Sequence, residues 1–296
     1  MKRKLLLIFT ALALSVANLP IAQADELDQI ISEDEQVAPL GENKVFAAGH
    51  ADMGVRVQGG SAQIMVRDDS QDVPVWRHPQ DVTFALSDKA LQNLPAGTEY
   101  DFTGASAGQR VWVIPQAQIA GVPWLGWSSG DPALAKEAAR GVTIEYCGHK
   151  GPGQFSVFEQ DGGFSKPRLL WSSQKNKAQP IFTEIGSHAH ANWVFTKPGV
   201  HLVAIRMRVE GPKPKTYETF LRFAVQTDPL AAAGQRWTGK MLDSSTSKEP
   251  ARPVASRTKS FPYGYAVLGC GVVVVVVGVF LYVRASRKER QRAEER

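Results

Sequence analysis

Residues 200–226 read VHLVAIRMRVEGPKPKTYETFLRFAVQ. Apolar and polar side chains alternate through 200–211 and again through 217–226, the two longest such runs in the chain. A period of two turns one side of a strand to a core and the other to solvent. The EGPKPK between them is dense in glycine and proline, which break regular structure. The stretch predicts two long strands separated by a turn.

The same writing extends outward. AQIMVRD (62–68), DVTFALSD (81–88), RVWVIPQ (110–116), VTIEYCG (142–148) and GQFSVFEQ (153–160) alternate in the same way; PRLLWSS (167–173) and PIFTEIG (180–186) follow the pattern less closely. VQGGS, HKGPG, DGGF and TKPG punctuate them. Many short strands spaced by turns predict an all-β domain over 44–227, an immunoglobulin-like antiparallel β-sandwich. One segment departs from this: DPALAKEAARG (131–141) has helix formers between an Asp-Pro start and a Gly stop, and predicts a short helix. PQAQIAGVPWLGWSSG (115–130) shows no strand pattern and reads as a long loop carrying Trp124 and Trp127.

The ends predict a membrane topology. Lys2, Arg3 and Lys4 precede an apolar run and the small-x-small AQA at 22–24, so 1–24 reads as a signal peptide. Residues 264–283, GYAVLGCGVVVVVVGVFLYV, carry no charge, and Tyr263, Tyr265 and Tyr282 sit near the ends of this stretch. A transmembrane helix is expected over 263–283. The basic 284–296 then stays cytoplasmic, and the domain becomes a single-pass ectodomain outside the cell membrane. Residues 25–43 are acidic and read as a flexible lead-in; 228–262 are rich in Ser, Thr, Pro and Lys and read as a stalk. The formal charge of +5 resides in these ends. Residues 25–263 hold 25 Lys+Arg (34 less three and six) against 26 Asp+Glu (29 less three), net −1, which argues against a nucleic-acid partner. Cys147 and Cys270 fall on opposite sides of this division, so no disulfide framework is expected.

No GxSxG, HExxH, CxxC or P-loop pattern occurs, and the chain is not expected to be an enzyme. The histidines carry more information. GHADMG (49–54) spaces His50 and Asp52 by two, and SHAHANW (187–193) does the same with His188 and His190. Such neighbours share one strand face, and three imidazoles with one carboxylate suit Zn²⁺, with Mn²⁺ or Fe²⁺ also accommodated. The competing reading is a polar strand edge whose histidines bond backbone carbonyls over a core tryptophan. His78, His149 and His201 are isolated and read as surface or turn residues. Trp124 and Trp127 suit either a solvent-facing platform for haem or a glycan, or indoles that pin the loop.

GHADMG, VWRHPQDVTFAL (75–86), VWVIPQAQIAGVPWLGWSS (111–129), GPGQFSVFEQDGGFSKPRLLWSS (151–173) and SHAHANWVFTKPGVHLVAIRM (187–207) together resemble the actinobacterial surface-anchored protein domain, also called the choice-of-anchor M domain. The resemblance covers about residues 45–226. It implies a bacterial envelope protein and, as partner, an ABC transporter of the metal-uptake type, which strengthens the reading of His50, Asp52, His188 and His190 as ligands of Zn or Mn, although the family carries over no ligand set of its own. The alternatives are a structural or adhesive envelope protein without a metal, and a haem or glycan binder using Trp124 and Trp127. Cys147 and His149 lie outside the resemblance.

Overall fold

The computed structural model describes residues 29–138, 140–161, 165–243 and 252–253. They are mostly β, in a sandwich-like arrangement of three sheets. The first sheet runs, in spatial order, Gln36–Val37, Val75–Arg77, Ser61–Asp68, Gly49–Gln58, Pro123–Ser128 and His188–His190. The second runs Arg252–Pro253, Gln179–Glu184, Gly141–Lys150, Gly199–Glu210, Lys215–Val225, Val82–Leu86 and Lys44–Phe46. The third runs Arg168–Ser172, Phe155–Glu159, Asn192–Phe195, Arg110–Ile114 and Leu91–Asn93.

The two long strands of residues 200–226 pair antiparallel, from Gly199↔Val225 to Val209↔Lys215. Aromatic rings tie the sheets together. Trp193 and Phe195 of the third sheet meet Phe223 of the second at centroid distances of 5.9 and 4.9 Å. Trp171 of the third sheet meets Trp127 of the first at 6.3 Å. All five are fully buried, so the core lies where the faces meet.

Purely antiparallel pairing does not hold. Only the third sheet is wholly antiparallel. In the first, Gly49–Met53 runs parallel to Pro123–Trp127; in the second, Phe84–Leu86 runs parallel to Phe223–Val225. Turn residues announce hairpins, whereas parallel partners need long crossovers that leave no local mark.

Packed structure continues on both sides of 44–227. Within 29–43, Gln36–Val37 pairs parallel with Val75–Trp76 and Ile31 is buried against Met65 and Trp76. The Glu35 carboxylate takes hydrogen bonds from Arg67 Nε and Nη2 (2.8 and 2.7 Å) and Trp76 Nε1 (2.8 Å). Beyond 227, helix Pro229–Ala233 is capped by the Asp228 carboxylate, and Trp237, Met241 and Leu242 pack on Cys147, Ala178 and Ala204. Both segments look polar on average, but a few well-placed side chains anchor them. The expected helix at 131–141 forms over Pro132–Glu137, capped by Asp131.

Among the described residues no helix is long and apolar enough to cross a membrane. The expected signal peptide, membrane helix and cytoplasmic tail lie outside the described residues.

Candidate metal centre

Three adjacent strands of the first sheet build the site. Gly49–Gln58 carries His50 and Asp52, His188–His190 carries the other two histidines, and Pro123–Ser128 lies between. The register sets Asp52, Gly126 and His190 in one cross-strand row. Strands two apart stand roughly 9–10 Å from one another, from the usual inter-strand spacing. Gly126 has no side chain, so the carboxylate and the imidazole reach toward each other across it. An added Cβ there would lie 2.5 Å from Asp52 Oδ1, 2.6 Å from the Ala189 carbonyl oxygen and 2.7 Å from His190 Cε1.

The middle strand is the segment read as a loop. All six of its residues are buried. A strand covered on both faces has no reason to alternate, which is why the pattern was invisible. The solvent-facing tryptophan platform is corrected with it. Trp127 is wholly buried, and Trp124 is 7% exposed. Trp124 stacks on His190 at 4.0 Å and 15° and tilts against His50 at 4.7 Å. Its Nε1 donates to the Gln116 carbonyl at 3.1 Å, holding the indole as a wall of the site.

One ligand atom from each of His50, Asp52, His188 and His190 can be chosen so that all four lie within 4.8 Å of one another. The His190 Nε2 stands 2.9 Å from His50 Nε2 and 3.0 Å from His188 Nε2. Asp52 Oδ2 stands 2.9 Å from His188 Nε2 and 3.3 Å from His50 Nε2. Tetrahedral ligands at bond lengths of about 2.0–2.1 Å are separated by roughly 3.3 Å, so the spacing suits one ion. The group could hold a metal ion; its geometry does not name which.

The donors also fit a cation chemically. His50 Nδ1 lies 2.7 Å from Asp69 Oδ1, an ion-pair distance for the protonated ring. His50 Nε2 faces both Asp52 Oδ2 and His190 Nε2, at 3.3 and 2.9 Å. Asp52 Oδ1 and His188 Nδ1 are buried without a hydrogen-bond partner. Burial disfavours ionised Asp52, but His188, His50 and His190 outweigh it and hold the carboxyl well below its usual range. Burial pushes His190 down to about 3; Asp52 pulls the other way, while His188 and His50 add to the fall. For His50 burial is opposed by Asp69 and Asp52, and the net shift is upward.

An outer ring of partners lies beyond the four. Arg67 Nη1 donates to Asp69 Oδ2 at 2.7 Å while its other nitrogens hold Glu35. A carboxylate behind a ligating histidine fixes the ring and its tautomer. Gln29 Nε2 donates to Asp52 Oδ2 at 2.7 Å and to Asp69 Oδ2 at 3.3 Å. Asp69, Arg67, Gln29 and Gly126 were not legible as site residues; the acidic end of strand Ser61–Asp68, RDDS (67–70), was the one local signal.

Two other histidines are corrected. His201 is fully buried, and its Nδ1 lies 2.9 Å from His149 Nε2 on the neighbouring strand. His201 Nε2 donates to the Lys197 carbonyl, so His149 is the donor in the pair. Cys147 is buried and unpaired. Its Sγ donates to the Glu145 carbonyl at 3.7 Å, and burial pushes the thiol up to about 12.

No family model matches the chain, and no curated protein or solved structure matches it.

Proposed function

We propose that the protein is a membrane-anchored cell-surface module that reversibly binds a transition-metal ion, Zn²⁺ or Mn²⁺, through His50, Asp52, His188 and His190. It serves as an accessory to metal uptake by an ABC transporter and catalyses no reaction. The observation that carries this is the convergence of three imidazole nitrogens and one carboxylate oxygen from three strands, at separations that suit one ion. The N₃O donor set at tetrahedral spacing favours Zn²⁺. The expected signal peptide and membrane helix support an envelope location, and the resemblance supports the transporter partner and the surface-anchored family. A buried wall of Trp124 makes the site dry on one side, which strengthens coordination there.

The test is a calorimetric titration of the metal-free, full-length chain with Zn²⁺ and Mn²⁺. One ion per chain is expected, with affinity lost in His188→Ala/His190→Ala. Ligation needs neutral imidazoles, and His50, held above the ordinary histidine value, protonates before His190, so binding weakens as pH falls through the value of His50. If neither ion binds more tightly than about 10 μM, which is about −6.8 kcal/mol, coordination is refuted and the protein is a structural envelope component.

A further inference from the structure

We propose that Gln29 is a further metal ligand, supplying its side-chain carboxamide oxygen as a fifth donor and setting which ion the site prefers. This rests on the metal-binding reading of the four-residue centre.

The amide of Gln29 lies against a ligand carboxylate of the centre. Its Nε2 is 2.7 Å from Asp52 Oδ2, the oxygen that also faces His188 and His50. Ligand atoms around one ion at about 2.0–2.1 Å stand roughly 2.9–3.3 Å apart for angles between 90° and tetrahedral. The 2.7 Å separation from Asp52 Oδ2 is close to such a spacing. The Gln29 Oε1 is buried and has no hydrogen-bond partner. The amide nitrogen faces the carboxylates, because a nitrogen donates where an oxygen would repel. Rotating the amide by half a turn exchanges the two atoms and points Oε1 at the cation that the carboxylate now shares.

The chain around Gln29 is built to hold it there. Arg56 donates to the carbonyls of Ser32, Glu33 and Glu35 at 3.2, 2.7 and 3.1 Å. Arg67 grips the Glu35 carboxylate with two nitrogens and Asp69 with a third. Asp69 in turn holds His50. One arginine therefore fixes both the segment that delivers Gln29 and the carboxylate that orients a ligand histidine. A neutral oxygen added to N₃O gives N₃O₂, a number and hardness that suit Mn²⁺ better than a closed tetrahedron does.

The experiment compares full-length wild type, Gln29→Ala and Gln29→Glu by Mn²⁺ and Zn²⁺ titration, with Co²⁺ absorption as a geometry probe. In Gln29→Ala, Mn²⁺ affinity is expected to fall about tenfold or more while Zn²⁺ affinity changes less than about threefold. Its Co²⁺ spectrum is expected to move toward the stronger visible bands of tetrahedral cobalt. Gln29→Glu keeps an oxygen but no donor, and is expected to retain Mn²⁺ binding and the wild-type Co²⁺ spectrum. Equal loss of both ions in Gln29→Ala, no loss of either, or a Gln29→Glu protein that behaves like Gln29→Ala would overturn the assignment and leave Gln29 as a hydrogen-bond donor to Asp52. A wild type that binds Zn²⁺ with Gln29 indifferent sinks only this proposal; a wild type that binds no ion sinks the metal centre itself.

Discussion

Replacing Gly126 by alanine adds one methyl group at the centre of the candidate site. Gly126 has no left-handed backbone, so the change introduces no conformational strain of its own. The whole effect is steric. The new Cβ would approach Asp52 Oδ1 to 2.5 Å, the Ala189 carbonyl oxygen to 2.6 Å and His190 Cε1 to 2.7 Å. Ordinary contact begins at 3.4 Å, so three atoms must retreat by about 0.7–0.9 Å. One of these is backbone in a paired strand and has nowhere to go. The other two belong to ligands, and a metal site tolerates errors of about 0.2 Å.

Two consequences follow from that displacement. The metal-free protein is expected to lose about 1–3 kcal/mol, the usual cost of an extra methyl in a packed interior. Zn²⁺ affinity is expected to fall about 100-fold, or about 2.7 kcal/mol, because two of four donors leave their positions. The assay is urea unfolding of the metal-free chain together with calorimetric Zn²⁺ titration. Gly130→Ala is the control, since its added Cβ would come no closer than 3.2 Å, and to a side-chain hydroxyl. A folded Gly126→Ala protein that binds Zn²⁺ within about threefold of wild type would refute the claim that this glycine makes room for the ligands.

The pair of buried His201 and half-buried His149 predicts acid sensitivity. Burial, and for His149 the neighbouring His201, lowers their values to about 3 and about 4, so the unfolded chain binds the extra protons. Stability is fully present above about pH 6.5 and falls as pH drops toward 4, by about 2–3 kcal/mol per histidine at pH 4.5. His149→Gln keeps a donor for His201 Nδ1 and should reduce that pH-dependent loss by one histidine's share; an unchanged slope between pH 6.5 and 4.5 argues against it. Asp131 pairs with Arg56 at 3.0 Å, both 1% exposed, and caps Leu134 N at 2.8 Å. Asp131→Ala strands a buried guanidinium and should cost about 3–5 kcal/mol, read as a lower urea midpoint at constant m-value. Cys147 should resist thiol-specific labelling in the native chain and label on unfolding, as peptide mass mapping would show; native labelling at a rate near that of a free thiol contradicts its burial.

What could be read in advance follows from the range of the interactions. The long strands of 200–226 announce themselves because one face is buried and the other is not. His50 with Asp52, and His188 with His190, were legible for the same reason: a spacing of two is a statement about one strand. How those pairs meet is not local. His50 and His190 are 140 residues apart, and their contact depends on a parallel pairing and an antiparallel pairing to the same middle strand. That strand, buried on both faces, carries no alternation to reveal it. Its contribution to the site is the lack of a side chain at Gly126, which no search for chemically active residues can find.

The outer ring was hidden by a different cause. Gln29 and Glu35 sit in a segment whose composition is that of a flexible lead-in, and composition averages over positions. Two buried arginines, Arg56 and Arg67, hold that segment. Arginine buried in a strand is costly unless its donors are satisfied, so each demands acceptors from elsewhere in the chain. Arg56 takes Asp131 and three carbonyls of the acidic segment; Arg67 takes Glu35 and Asp69. An acidic stretch beside a domain whose strands bury arginine is therefore a docking partner in waiting, and here docking brings Gln29 against the same carboxylate that faces the three histidines. The site and the segment that covers it are parts of one charge-pairing problem, solved only when residues 29–35, 56, 67 and 69 are placed together.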